Sequence, residues 1–256
     1  MNVIRHIAAA VALCAIGTAP ALAQGTTFTN GTFDGGSLSG WQTYGDVLAA
    51  GGRTRLTTAS TAYDDDALGA GNEGFMNESG TPAVDFFDAT SLAGIPLTNF
   101  DIDGDAYEGS AIRQDFTAIA GDLLTVTFDW AFVSTDTANL DFAFLAVNDA
   151  VYKFVDTSSQ YLTGNFLGTF VDAENVSWSW YQSSYTYQAN SNGAVSLSLG
   201  VIDIGDTQYT SQLRVDNIAV SAVPEPETYA LMLAGLGLIG GYVGRRQKKA
   251  AAAPTA

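Results

Sequence analysis

Asp101-Ile-Asp103-Gly-Asp105-Ala-Tyr-Glu108 sets four carboxylates within eight residues. Calcium takes about six to eight oxygen ligands at roughly 2.3–2.6 Å, and alternating acidic side chains around a turn can supply several of them. An EF-hand loop needs its glycine at about the sixth position, and Gly104 stands earlier in the run, so that loop is excluded. Asp101, Asp103 and Asp105 are therefore calcium candidates. The structural alternative is a polar loop whose Asp side chains close turns.

Trp178-Ser-Trp180-Tyr181, with Tyr185 and Tyr187 beyond it, is the densest aromatic patch. Exposed aromatic rings stack on sugar rings, so Trp178, Trp180 and Tyr181 are candidate glycan contacts. Val176, Trp178 and Trp180 also alternate at the strand period and would fill a core equally well, leaving Tyr181 as the exposed member. Glycoside hydrolysis needs only two carboxylates, and Asp129, Asp141, Asp203 and Asp206 are candidate acids. No general-acid constellation stands out among the scarce glutamates Glu73, Glu78, Glu108 and Glu174, so the expectation is a non-catalytic structural or interaction protein, with a calcium-dependent carbohydrate-binding module and a glycoside hydrolase as the alternatives.

The elements that position these residues lie between two export signals. Residues 1–23 read as a secretory signal peptide, with Arg5 and His6 at a basic start, an apolar run from Ile7 to Ile16, and Ala21 and Ala23 as the small-x-small cleavage site. The chain's one His and one Cys, His6 and Cys14, leave with it. The processed chain then holds no disulfide, no Ser-His-Asp triad, no Cys nucleophile and no His- or Cys-ligated zinc. At the other end, residues 229–244 form an apolar run of about 24 Å as a helix, slightly short of a hydrocarbon core. Arg245, Arg246, Lys248 and Lys249 follow and hold that end on the cytoplasmic side. Pro224 and Pro226 stop the helix from running back into the folded part.

Pro224-Glu225-Pro226, the Gly- and Leu-rich segment and the basic cluster, in that order, resemble the PEP-CTERM sorting signal of Gram-negative bacteria. The resemblance implies recognition by an exosortase after passage through the general secretion machinery, and removal of the tail near Pro224-Glu225-Pro226. It further implies transient membrane anchoring and delivery to the cell surface or extracellular matrix of an exopolysaccharide-producing cell. Residues 224–249 are read as the sorting signal and residues 250–256 as a disordered Ala-rich tail.

Residues 24–223 form the ectodomain. Large apolar residues fall at every second position in Leu124–Phe132, Leu140–Phe144 and Val195–Val201, where Ser196 and Ser198 turn to water or a polar layer. Ile112–Phe116, Val151–Val155, Phe166–Val171 and Leu213–Val220 are further strands. The expected fold class is all-β, an antiparallel sandwich or jelly roll, with a long Gly- and Asn-rich loop over residues 60–82.

Asn30-Gly-Thr-Phe33-Asp34-Gly-Gly-Ser-Leu-Ser-Gly40-Trp41 and Leu213-Arg-Val215-Asp216-Asn217-Ile218-Ala-Val220 resemble the two ends of carbohydrate-binding-module-like jelly rolls. The resemblance implies that these segments are adjacent first and last strands, with a structural calcium between Asp34 and Asp216. Gly109–Phe116, Phe128–Phe132, Asp141–Phe144 and Gly200–Asp206 resemble a recurrent PEP-CTERM ectodomain type, which implies a fold and a location rather than an activity.

Of the formal net charge of −17, the signal contributes +1, the tail +2 and the ectodomain −20, from 25 acidic and 5 basic residues. Phosphate-rich partners are repelled, which excludes nucleic acid. The same acidity suits calcium and predicts that any contact with acidic polysaccharide is calcium-bridged.

Overall fold

The computed structural model describes residues 28–60, 77–136, 138–158, 162–172, 176–223, 232–240 and 242. The signal peptide, most of the 60–82 loop, Pro224-Glu225-Pro226 and the basic cluster lie outside the described residues. In chain order the strands are β1 (Gln42–Tyr44), β2 (Asp46–Ala50), β3 (Arg53–Thr57), β4 (Val84–Asp85), β5 (Ser91–Leu92), β6 (Ile95–Pro96) and β7 (Ala106–Ala118). They continue as β8 (Leu123–Ser134), β9 (Phe142–Val147), β10 (Ala150–Asp156), β11 (Asn165–Val171), β12 (Ser177–Gln188), β13 (Gly193–Ile204) and β14 (Ser211–Val223).

Two antiparallel sheets form a sandwich. One runs β1-β7-β13-β9-β10, with β4 also on β7; the other runs β11-β12-β8-β14-β3-β2. The inner faces enclose a core that includes Val126, Phe128, Trp130, Leu213 and Val215 from the second sheet and Ile112, Leu145, Leu197, Leu199 and Val201 from the first. Trp130 stacks on Tyr181 at 4.9 Å between ring centroids and donates its indole N–H to Ser183 Oγ at 2.9 Å. A polar atom at the centre of the core is thereby satisfied. The strands expected from two-residue alternation all appear, and several run longer than the apolar residues alone indicated.

The outer face of the first sheet is not open to water. The β5-β6 hairpin and the turn after it carry Leu92, Ile95 and Phe100 onto Ala111, Phe142, Phe144 and Ile202. Ser198 is consequently buried as the cross-strand neighbour of Ala146, and Ser196 is nearly so. Of the two expected surroundings, water or a polar layer, water is corrected for both serines.

Residues 30–41 do not form the first strand. They make a run of turns that drops Phe33 and Trp41 into the core, with the Trp41 indole N–H on the Asn30 carbonyl at 3.0 Å. The implied adjacency to the last strand survives in a single bond, Ile218 N–H to the Gly31 carbonyl at 2.9 Å. Any side chain at Gly31 would place its Cβ 1.9 Å from the Ile218 carbonyl oxygen, so the approach requires glycine. Residues 232–240 are helical; the rest of the 229–244 run lies outside the described residues, and among those described no helix is long and apolar enough to cross a membrane.

At one end of the first sheet, carboxylates meet across strands. Asp203 on β13 stands opposite Glu108 on β7, and Asp141 precedes β9 on the other flank. Asp141 accepts from the Ile204 amide at 3.0 Å and the Ser211 hydroxyl at 2.7 Å, whereas Asp203 Oδ1 has no hydrogen-bond partner among the described residues. Burial, reinforced for Asp203 by Asp141 and Glu108, raises both carboxyls, Asp141 to about 7 and Asp203 to about 11.

A carboxyl raised in the folded state holds its proton where the unfolded chain has released it. Its stabilisation is complete below about pH 4 and is lost as pH climbs through the folded value. Asp156 and Asp172 have the opposite sign: burial is outweighed by hydrogen bonds that include Lys153 and Arg214, and their contributions are lost below about pH 4. The melting temperature is therefore expected to fall between about pH 4 and 7 and to continue falling above neutrality. Asp203→Asn should flatten that fall and gain on the order of 2 kcal/mol at pH 8, about 4–8 °C in calorimetry.

Candidate functional site

The outer face of the second sheet carries a cavity of about 530 Å³. Strand parity builds it. Leu213 and Val215 point inward on β14, so Gln212, Arg214 and Asp216 point outward; on β3 the inward Leu56 leaves Arg53 and Arg55 outside. On β12 Tyr181, Ser183 and Tyr185 take the inner face, which sends Trp178 and Trp180 outward onto Ala131 of β8. The single methyl of Ala131 leaves room for two indoles to lie against the sheet.

This reverses the expectation for the aromatic patch. Trp178 and Trp180 do share a face and are buried, but in a separate outer cluster rather than between the sheets. Tyr181, expected to be exposed, stacks on Trp130 in the core. Alternation states which residues share a face, but which face meets the other sheet depends on strand order.

Arg214 is the centre of the cavity wall. Its guanidinium lies 3.6 Å over the Trp178 ring, donates through Nη2 to Asp172 Oδ2 at 2.8 Å and through Nε to Gln212 at 3.1 Å. Asp172 also accepts from the Trp178 indole at 2.7 Å. Gln212 donates to Glu78 at 2.7 Å, and Glu78 pairs with Arg55 at 3.4 Å, so both arginines belong to one network. Arg53 caps the Trp180 ring at 5.0 Å from its centroid. On the other side, β11 is the sheet edge and contributes the exposed Leu167, Phe170 and Val171.

Asp129 and Asp216, cross-strand partners on β8 and β14, line the same cavity. Asp129 accepts from Gln182 at 2.9 Å and Asn217 at 2.8 Å. Asn217 sits at φ 51° in the bulge that interrupts β14, a conformation Asn tolerates better than most residues. Burial raises the Asp216 carboxyl; Asp129 and Asp34 add to the rise, while Arg53 opposes it. Asp34, which the jelly-roll resemblance pairs with Asp216, accepts from the Thr32 hydroxyl at 2.7 Å.

The acidic run lies elsewhere and its members diverge. Asp101 accepts from the Ala106 amide at 3.1 Å, Asp103 pairs with Lys153, and the Asp105 carbonyl accepts from Gly205 at 2.9 Å. Among the described residues no three His, Cys, Asp or Glu side chains are grouped to hold a metal ion. Of the four candidate catalytic acids, Asp129 lines the cavity. Asp141 and Asp203 are buried at the far sheet, and Asp206 binds Asn139 at 2.8 Å.

Sequence reasoning missed Arg53, Arg55 and Arg214, three of the five basic residues in the ectodomain. Their signal was available, since each alternates with inward apolar residues of its own strand. A strongly negative total drew attention to the acids instead.

No curated protein sequence matches the chain. Solved structures similar to it include a CBM4 module (13% identity, 72% of this chain and 96% of that one, TM-score 0.34). A CBM61 module in complex with β-1,4-galactotriose is also similar (10% identity, 78% and 99%, TM-score 0.38). A third is the N-terminal cellulose-binding domain of β-1,4-glucanase C from Cellulomonas fimi (12% identity, 78% and 99%, TM-score 0.34). A family model described as the PEP-CTERM protein-sorting motif matches residues 222–249, and the chain accordingly carries the signal of an exported protein held transiently by its C-terminus.

Proposed function

We propose that this chain is an exosortase-processed protein of the cell surface or extracellular matrix whose sandwich binds exopolysaccharide without catalysis. The observation that carries the reading is the outer-face cavity, in which the apolar wall of β11 faces a rigid polar network anchored on Arg214. Sugars present both characters at once, with C–H faces that pack on apolar side chains and hydroxyls that exchange hydrogen bonds.

Purified full chain should retain secreted polysaccharide in affinity electrophoresis without releasing new reducing ends. Phe170→Ala should weaken that retention by roughly tenfold, or about 1.4 kcal/mol. Turnover of the polysaccharide would exclude the non-catalytic reading, and failure to bind any polysaccharide would exclude the module. Deleting residues 224–249 should move the protein from the cell surface to the medium in fractionated cultures; continued surface retention would count against exosortase sorting.

A second reading keeps calcium as a structural ligand beside the cavity, where the jelly-roll resemblance pairs Asp34 with Asp216 and Asp129 stands opposite Asp216 on the neighbouring strand. Calcium is then expected to raise the melting temperature in differential scanning calorimetry, and Asp216→Asn to remove the rise. An unchanged melting temperature excludes calcium at this position.

A further inference from the structure

We infer that the outer-face cavity selects an acidic glycan, receiving a sugar carboxylate directly between Arg55 and Arg214. The inference rests on the reading of the sandwich as a glycan-binding module and specifies its ligand class.

Arg55 and Arg214 are directly opposed cross-strand partners on β3 and β14. Opposed residues in an antiparallel pair have Cα atoms about 4.5–5.5 Å apart, and like charges so placed repel. The ectodomain has five basic residues among 25 acidic ones, so confining two arginines to one cross-strand pair and a third to the adjoining wall calls for a ligand. Burial, followed by the charge of Arg55, lowers the affinity of Arg214 for its proton, against the opposing pull of Asp172 and Glu78.

The unmet hydrogen bonds have one polarity. Arg55 Nε, Arg214 Nη1 and Trp180 Nε1 are buried, lack a hydrogen-bond partner among the described residues, and belong to side chains lining this one cavity. Arg214 and Trp180 are more than nine-tenths buried, at 3% and 6% exposure. All three atoms are donors, and leaving a buried donor unpaired costs about 1–3 kcal/mol. A neutral sugar hydroxyl accepts from such donors but must place its own proton. A carboxylate accepts only, bringing two oxygens and the compensating charge.

Position along the sheet agrees with a sugar-sized occupant. Arg55, Arg214, Ala131 and Trp180 form one continuous register row across β3, β14, β8 and β12. At about 4.8 Å per strand, the Trp180 backbone is roughly 10 Å from that of Arg214 along that row. A carboxylate at the arginine pair leaves the ring against the β11 wall, with a second acceptor group reaching Trp180. Direct capture replaces the calcium bridge that the ectodomain's net charge of −20 predicts for an acidic polymer.

The test compares a glucuronate-containing oligosaccharide with the same oligosaccharide after its carboxyls are reduced to alcohols. Binding to the purified full chain is measured by isothermal titration calorimetry in excess EDTA. The acidic form should bind at least tenfold more tightly, and its affinity should fall with added salt. Arg55→Gln and Arg53→Gln should each erase most of that preference at an unchanged melting temperature. Equal affinity for the two forms, or a preference untouched by either variant, would overturn the carboxylate inference and leave the module reading intact. Acidic-form binding that appears only when calcium replaces EDTA would overturn it in favour of bridging. Binding of neither form, with no other polysaccharide retained, would overturn both readings.

Discussion

The two faces of the second sheet are coupled by the two-residue period of its strands. Seating Trp130 on β8, Tyr181 on β12 and Leu213 and Val215 on β14 in the core leaves Asp129, Trp180, Arg214 and Asp216 no position but the outer face. A slip of one residue in β8 or β14 would bring a charge into the core and a tryptophan or leucine to the surface, and in β12 it would exchange Tyr181 for Trp180 and Gln182. The inner packing therefore fixes the register of the site, and the site inherits the rigidity of the core beneath it. Such a base holds side chains more precisely than a loop does.

Arg214 shows how that rigidity is used. A buried guanidinium is tolerable when its charge and donors are met, and here Trp178, Asp172 and Gln212 meet most of them. The network through Glu78 extends the same constraint to Arg55 on the neighbouring strand. What remains unmet is small, directional and concentrated at one place. At the opposite sheet the buried carboxyl of Asp203 resolves a similar conflict by retaining its proton, which links the protein's stability to pH without bearing on the cavity.

Net charge described the ectodomain poorly because it averages over surfaces that never meet. An ectodomain at −20 repels polyanions as a whole, and at long range, but that repulsion is screened within about 10 Å at 0.1 M salt. Three arginines on one sheet face act at contact distance. Total charge governs the approach of a ligand, and local charge governs which ligand stays.

The sequence by itself determined the sorting tail and the strands of the sandwich. Each depends on residue type or on neighbours two apart, information that is local in the chain. Tertiary structure alone decided that Trp178 and Trp180 face outward while Tyr181 faces the core, because strand order determines which side of a sheet meets its partner. It alone turned residues 30–41 into a plug held at Gly31, buried Ser198 beneath a hairpin far away in sequence, and scattered the acidic run at Asp101, Asp103 and Asp105. Above all, it brought Arg55 opposite Arg214, residues 159 positions apart, through a strand pairing that no local pattern specifies.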